Sequence, residues 1–118
     1  MKHIEGGVTA AKGFLAGGMY CGIRKNKTKP DLCMILSEKD CPAAAAFTSN
    51  LVKGAPILVS KKNLANGHAR AVIANSGNAN TCNADGVEKA EKMCAIAGAA
   101  LEVEPSDVVV ASTGVIGQ

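Results

Sequence analysis

The stretch DGVEKAEKMCAIAGAALEVEPSDVVVASTG, residues 85–114, decides the fold. In its first half Val87, Ala90, Cys94, Ala97 and Leu101 recur at steps of three and four, which lays one apolar stripe along a helix. Asp85 with Glu88 three residues later resembles a capping box, with Asp in place of the usual Ser or Thr, and Glu88 and Lys92 stand at i, i+4 on the outward side. Pro105-Ser106-Asp107 then opens a strand over 107–112, whose β-branched run ends in a hydroxyl pair and a glycine. A one-sided helix and a continuous apolar strand both need a sheet to cover, so the expected class is α/β, in layers, with the sheet buried on at least one face.

Working outward, the C-terminal segment Ser112-Thr113-Gly114-Val115-Ile116-Gly117 reads as a sharp turn at the strand end, presenting backbone N–H groups and a threonine hydroxyl. Such a turn can hold an anion. Acyl transfer needs fixed donors where negative charge develops on a carbonyl oxygen, each worth about 3 kcal/mol of barrier. Upstream, Ala69–Ala74 reads as a buried strand that ends in Asn75-Ser76-Gly77-Asn78-Ala79-Asn80-Thr81. Those asparagines either close turns by bonding their own backbone or orient a ligand or a neighbouring loop. Further back, Leu32–Ser37 is a strand that pairs with one around 19–24 across the basic loop Arg24-Lys25-Asn26-Lys27-Thr28-Lys29. Residues 4–20 form an irregular, Gly-rich lead-in that fits neither phosphate-loop pattern. Strands are also expected over 43–48 and, with Pro56 at its start, over 55–60; Lys61–Asn66 forms one helical turn closed by Gly67.

Composition narrows the function. The 118 residues suit one modest domain, and the 47% hydrophobic fraction rests on small side chains, with no Trp, one Tyr and two Phe. Such a thin core leaves room for a partner chain to complete it. A net charge of +3 is too small to indicate nucleic acid, and no aromatic residue interleaves with the basic cluster to stack on bases. Cys21, Cys33, Cys41, Cys82 and Cys94 match no zinc, redox-pair or disulfide spacing, so reduced, partly buried thiols are expected, and no metal. A catalytic cysteine would want a nearby histidine, and the two present, His3 and His68, fall in expected loops. Met1–Gly7 has no apolar leader core and no run is long enough to span a bilayer, so a cytoplasmic protein without membrane contact is expected.

Read together, these segments resemble the ornithine acetyltransferase family, the bifunctional glutamate N-acetyltransferases of cyclic arginine biosynthesis. The resemblance runs from Gly7-Val8-Thr9-Ala10 and Lys12-Gly13-Phe14 through Ala46-Phe47-Thr48-Ser49-Asn50, Lys53, Ala55-Pro56 and Val59-Ser60. It continues in Ala69-Arg70-Ala71 and Asn75-Ser76-Gly77-Asn78-Ala79-Asn80, and closes with Ala111-Ser112-Thr113-Gly114-Val115-Ile116-Gly117. It implies a layered α/β sandwich similar to the N-terminal-nucleophile hydrolases, and a precursor that cuts itself before a threonine in a Lys-Gly-Ala-Thr type sequence. The freed threonine acts as nucleophile, with its α-amine as base, and carries acetyl from N-acetylornithine, or from acetyl-CoA as co-substrate, to glutamate. The family's oxyanion hole is the Thr-Gly pair of this motif, which implies that role for the Thr113 hydroxyl and the Gly114 N–H. No cofactor is implied.

The family's cleavage site and nucleophile lie downstream of that motif, and Lys53-Gly54-Ala55-Pro56 imitates the cleavage sequence without a hydroxyl at Pro56. Residues 1–118 are therefore expected to be a single incomplete domain, the N-terminal portion of an α chain. It would be inactive alone, its partners being the rest of that chain and a β chain in an α2β2 assembly. Two other readings stay open: a non-catalytic binding or assembly module, and an unrelated small-anion-binding α/β domain.

Overall fold

A computed structural model describes residues 2–118. Among the described residues four strands and two α-helices carry the fold, with short 3-10 turns between some of them: β1 (Phe14–Met19), β2 (Leu32–Pro42), α1 (Ala55–Asn63), β3 (His68–Asn78), α2 (Gly86–Leu101) and β4 (Val108–Val115). The four strands form one sheet in the order β1-β2-β3-β4. The first two pairings are antiparallel, and β3 with β4 is parallel, reached by a crossover through α2. Both helices pack on one face. There Val59 of α1 and Ala90, Cys94 and Ala97 of α2 meet Ala71, Ile73, Val108 and Val110 of the sheet, with Met34 and Leu36 at the margin. The α/β class is as the sequence indicates.

Several local expectations give way. The strand expected over 19–24 lies earlier, at 14–19, and residues 20–31 form the connection to β2. The segment 43–48 is neither strand nor helix. Residues 55–60 are helical, because Pro56 sits in the first turn, where its missing N–H costs nothing, and Ala55, Pro56, Val59 and Ser60 bury at helical spacing. Lys61 and Lys62 complement the last turn, and Gly67 closes the following 3-10 turn at φ 76°, the one part of this stretch read correctly. The Ser112-Thr113-Gly114 turn is absent: β4 runs on to Val115 in unbroken register with β3. On α2, Val87 is exposed, and the i, i+4 ion pair that forms is Asp85–Lys89 at 2.8 Å, which draws the Asp85 carboxyl below its ordinary pKa.

Helix α1 lies along the free edge of β4. The buried Ser60 hydroxyl donates to the Val110 carbonyl at 2.7 Å and accepts from the Val110 N–H at 3.0 Å. The Asn63 amide donates to the carbonyls of Val108 (2.8 Å) and Pro105 (3.2 Å). An edge that would otherwise carry orphaned groups is thus satisfied by side chains.

The 20–31 connection hangs on Asp31, which is buried. Its carboxylate accepts the N–H groups of Cys21 at 2.7 Å and Arg24 at 2.9 Å. Burial alone would push this carboxyl up; the amides of Arg24 and Cys21, followed by the Cys21 thiol, outweigh it and hold the pKa at about 2.

Replacing Ser60 by Ala leaves both Val110 groups without partners and should cost about 2 kcal/mol, read from the shift of a denaturant unfolding midpoint. Because the folded pKa of Asp31 lies below the unfolded value of about 3.9, its contribution is complete above that pH and is lost as pH falls toward 2. The amide proton shifts of Cys21 and Arg24 should follow one titration with a midpoint near 2; a midpoint at the unfolded value would refute the clamp.

Candidate functional site

The site is built on the far half of β4. Since Ser60 takes both backbone groups of Val110, these face away from β3, and strand alternation turns those of Ser112 and Gly114 to the same side. Val115 conforms, its carbonyl accepting the Ala79 N–H at 2.8 Å on the β3 side. Past the end of α1's cover, the edge therefore presents the Ser112 and Gly114 amides in succession. Thr113 and Gly114 are both exposed, and the pleat puts the Thr113 side chain on the face opposite the helices. The two expected site residues are thus together and accessible, on an extended strand rather than a turn.

Gly114 has φ +129° and its register partner Gly77 has φ +115°. A Cβ at Gly114 would stand 2.3 Å from the Gly77 carbonyl carbon and 2.7 Å from the Asn78 nitrogen. Only a glycine at position 114 can lie this close to the β3 backbone, which therefore fixes where the Gly114 amide lies.

The asparagines on β3 and beyond it bond chiefly to backbone, and in doing so tie down neighbouring segments. Asn75 donates to the Asn78 carbonyl at 3.0 Å, and the Asn78 side-chain oxygen accepts the Asn80 N–H at 2.7 Å. Asn80, buried and left-handed at φ 48°, donates its amide to the Gly86 carbonyl at 2.8 Å, while its own carbonyl accepts the Ala55 N–H at 3.0 Å. The starts of both helices are pinned to one residue. The Gly117 N–H returns to the Thr81 carbonyl at 2.9 Å, holding the end of the Ser-Thr-Gly-Val-Ile-Gly segment against the same loop.

Ser112 is the one buried side-chain oxygen without a hydrogen-bond partner among the described residues. It borders two cavities. One, of about 300 Å³, runs along the β4 edge past Phe47, Ile57 and Thr81. The other, of about 170 Å³, is lined by Asn75, Asn80, Asn83 and Lys89. A larger groove of about 400 Å³ is apolar, lies over β1 and β2 beside Leu101, and holds no group suited to acid, base or nucleophilic chemistry apart from the Cys33 thiol. Thr113 and Gly114 line none of these three.

The remaining chemistry is sparse. All five cysteines are free; Cys94 is buried and Cys41 half-buried, whereas Cys21, Cys33 and Cys82 are exposed, more than the sequence suggested. Burial raises the thiol pKa of Cys94, and partial desolvation followed by the neighbouring Asp31 carboxylate raises that of Cys21, the opposite of what an activated thiolate requires. His68 opens β3 rather than lying in a loop and pairs with Asp40 at 2.8 Å on the surface. No metal-ligating cluster of three or more exists among the described residues, and no helix there is long and apolar enough to cross a membrane. Sequence reasoning missed Ser60, Asn63, Asp31 and the role of Gly77; of these, only the Pro56 helix signal offered a route to Ser60 and Asn63.

Comparison with known proteins agrees with this architecture. The chain is 42% identical over 118 residues to the arginine biosynthesis bifunctional protein ArgJ of Caldanaerobacter subterraneus subsp. tengcongensis, covering 99% of this chain and 29% of that protein. It is 48% identical over 111 residues to ArgJ 1 of Clostridium acetobutylicum, covering 93% and 27%. It therefore spans less than a third of the length of these curated relatives. Among solved structures, ArgJ of Bacillus halodurans superposes with a TM-score of 0.90 at 37% identity, over 96% of this chain and 59% of that one. Ornithine acetyltransferase of Mycobacterium tuberculosis, complexed with ornithine, gives 0.84 at 39% identity, over 95% and 61%. The ArgJ family model matches residues 15–118, and the chain belongs to the ArgJ family.

Proposed function

We propose that residues 1–118 supply the oxyanion-binding part of an acetyltransferase of arginine biosynthesis, which moves acetyl from N2-acetylornithine to glutamate through an acetyl-threonine intermediate. Acetyl-CoA is a further acyl donor, and no resident cofactor is required. The observation that carries the reading is the uncovered stretch of β4, where an exposed Thr113 hydroxyl adjoins a Gly114 amide aimed out of the sheet and fixed by Gly77.

In the proposed reaction a threonine hydroxyl outside residues 1–118 loses its proton to its own α-amine and attacks the acetyl carbonyl. The carbonyl π electrons move onto oxygen, and the Thr113 O–H and Gly114 N–H donate to that oxyanion. Collapse expels the ornithine amine, which takes up the proton; glutamate's amine then attacks the acetyl ester by the same path in reverse. The ornithine bound in the M. tuberculosis structure supports the substrate class. The matched segment is 29% of the Caldanaerobacter protein and 59% of the B. halodurans crystal chain, so that crystallised chain is about half as long as a full relative, which favours a precursor cut into α and β chains. The partners proposed for residues 1–118 are accordingly the rest of the α chain and a β chain.

A chimera in which residues 1–118 replace the matching segment of the C. acetobutylicum relative should transfer acetyl from N-acetylornithine to glutamate with ping-pong kinetics, and residues 1–118 alone should not. In that chimera Thr113→Ala should lower kcat about a hundredfold with little change in KM. An unchanged rate would remove Thr113 from the site.

A further inference from the structure

Asp31 is the buried carboxylate that the proposed reaction does not use. Among the described residues no cation lies within ion-pair distance of it; its charge is met by amides. A buried carboxylate without a cationic partner is expensive unless several donors are fixed around it, so its position answers to a geometric demand. Every polar group of the residue is committed. Its N–H donates to the Met19 carbonyl at 3.0 Å and its carbonyl accepts the Ser76 N–H at 2.8 Å, while its two carboxylate oxygens hold Cys21 and Arg24.

What this clamp holds lies directly against the candidate site. A Cβ added at Gly77 would stand 2.8 Å from Ile23 Cγ2 and 3.0 Å from Arg24 Cγ, so the clamped loop rests on Gly77 with no slack. On its other side Gly77 is the surface against which Gly114 lies, and Ser76, bonded to Asp31, is the register partner of Thr113. Loop 21–24 thus packs on β3 at Gly77, and β4 lies beside β3 at the same residue, a close packing that transmits displacement instead of absorbing it.

We infer that Asp31 is a positioning residue for the oxyanion donors: by holding the amides of Cys21 and Arg24 it seats Ile23 on Gly77, and Gly77 in turn sets the place of the Gly114 amide. The inference rests on the acetyltransferase reading above. Asp31 touches neither substrate nor reacting atoms; it acts from the helix side of the sheet, whereas the Thr113 side chain is on the other. Donors to a developing oxyanion contribute to the transition state and little to ground-state binding, so a displaced Gly114 amide lowers kcat and spares KM.

The chimera tests this with Asp31→Asn, which keeps the shape but turns one acceptor into a donor facing an N–H. Its kcat should fall about tenfold, with KM for N-acetylornithine and for glutamate within about twofold of the parent. The Gly114 amide resonance should move, whereas Lys25→Ser, a neutral change in the same loop, should leave both kinetics and resonance alone. Should Asp31→Asn fail to fold, Ile23→Ala trims a side chain that is 40% exposed and should give the same split at about a threefold loss of kcat. Unchanged kcat in the folded variants, or a loss shared by kcat and KM without movement of Gly114, overturns the positioning role and leaves the reaction intact. A parent chimera that transfers no acetyl from N-acetylornithine overturns both.

Discussion

Gly77 and Gly114 pass each other across the parallel β3–β4 pair more closely than any side chain allows, and the rest of the site is arranged around that contact. Both residues occupy positive φ, so the two backbones bend toward each other at one register position. The contact explains why the Ser112-Thr113-Gly114 segment continues as strand. A turn would have to break the ladder just where it is tightest. Instead the ladder carries on to Val115, and the Gly114 amide is left pointing out of the sheet at a location dictated by β3.

The second constraint is the cover that α1 gives to the edge of β4. A parallel strand at a sheet edge exposes alternate N–H and C=O groups, and Ser60 and Asn63 remove that liability only at Val108 and Val110. The helix cannot cover more, because its start is held at the Asn80 carbonyl, which receives the Ala55 N–H. The end of α1's cover and the beginning of the free amides are thus set by the same asparagine. The Asn80 side-chain amide also bonds the first turn of α2, so a single buried residue determines where both helices begin relative to the strand that bears the motif.

The parts of this arrangement legible in the sequence were those written in periodicity. The stripe Ala90-Cys94-Ala97 gave α2, and the apolar runs 32–37, 69–74 and 107–112 gave three of the strands within a few residues of their ends. The short apolar run Ile57-Leu58-Val59 fits a strand as well as a helix, and the helix is marked by Pro56, Lys61 and Lys62, whose placement is that of a helix start and end. Thr113 and Gly114 stood out through their motif, but nothing local distinguishes a Thr-Gly turn from a Thr-Gly strand. The difference lies in the β3 backbone at Gly77, 37 positions away along the chain, against which only a residue without a side chain at position 114 can lie. Asp31 carries no mark in the sequence, since its partners Cys21 and Arg24 are backbone amides and leave no trace in residue type.

The two faces of the sheet therefore do different work at the motif. On the helix side, loop 21–24 rests on Gly77, and the asparagine loop and the start of α2 are tied together by hydrogen bonds around a small cavity beside Ser112. On the other side and along the edge past α1, Thr113 is exposed and the Ser112 and Gly114 amides are uncovered by the helix. An oxyanion requires donors that do not move as charge develops, which asks for rigidity behind and access in front. In the proposed site the first demand is met where the absence of a side chain at Gly114 lets its backbone lie against that of Gly77.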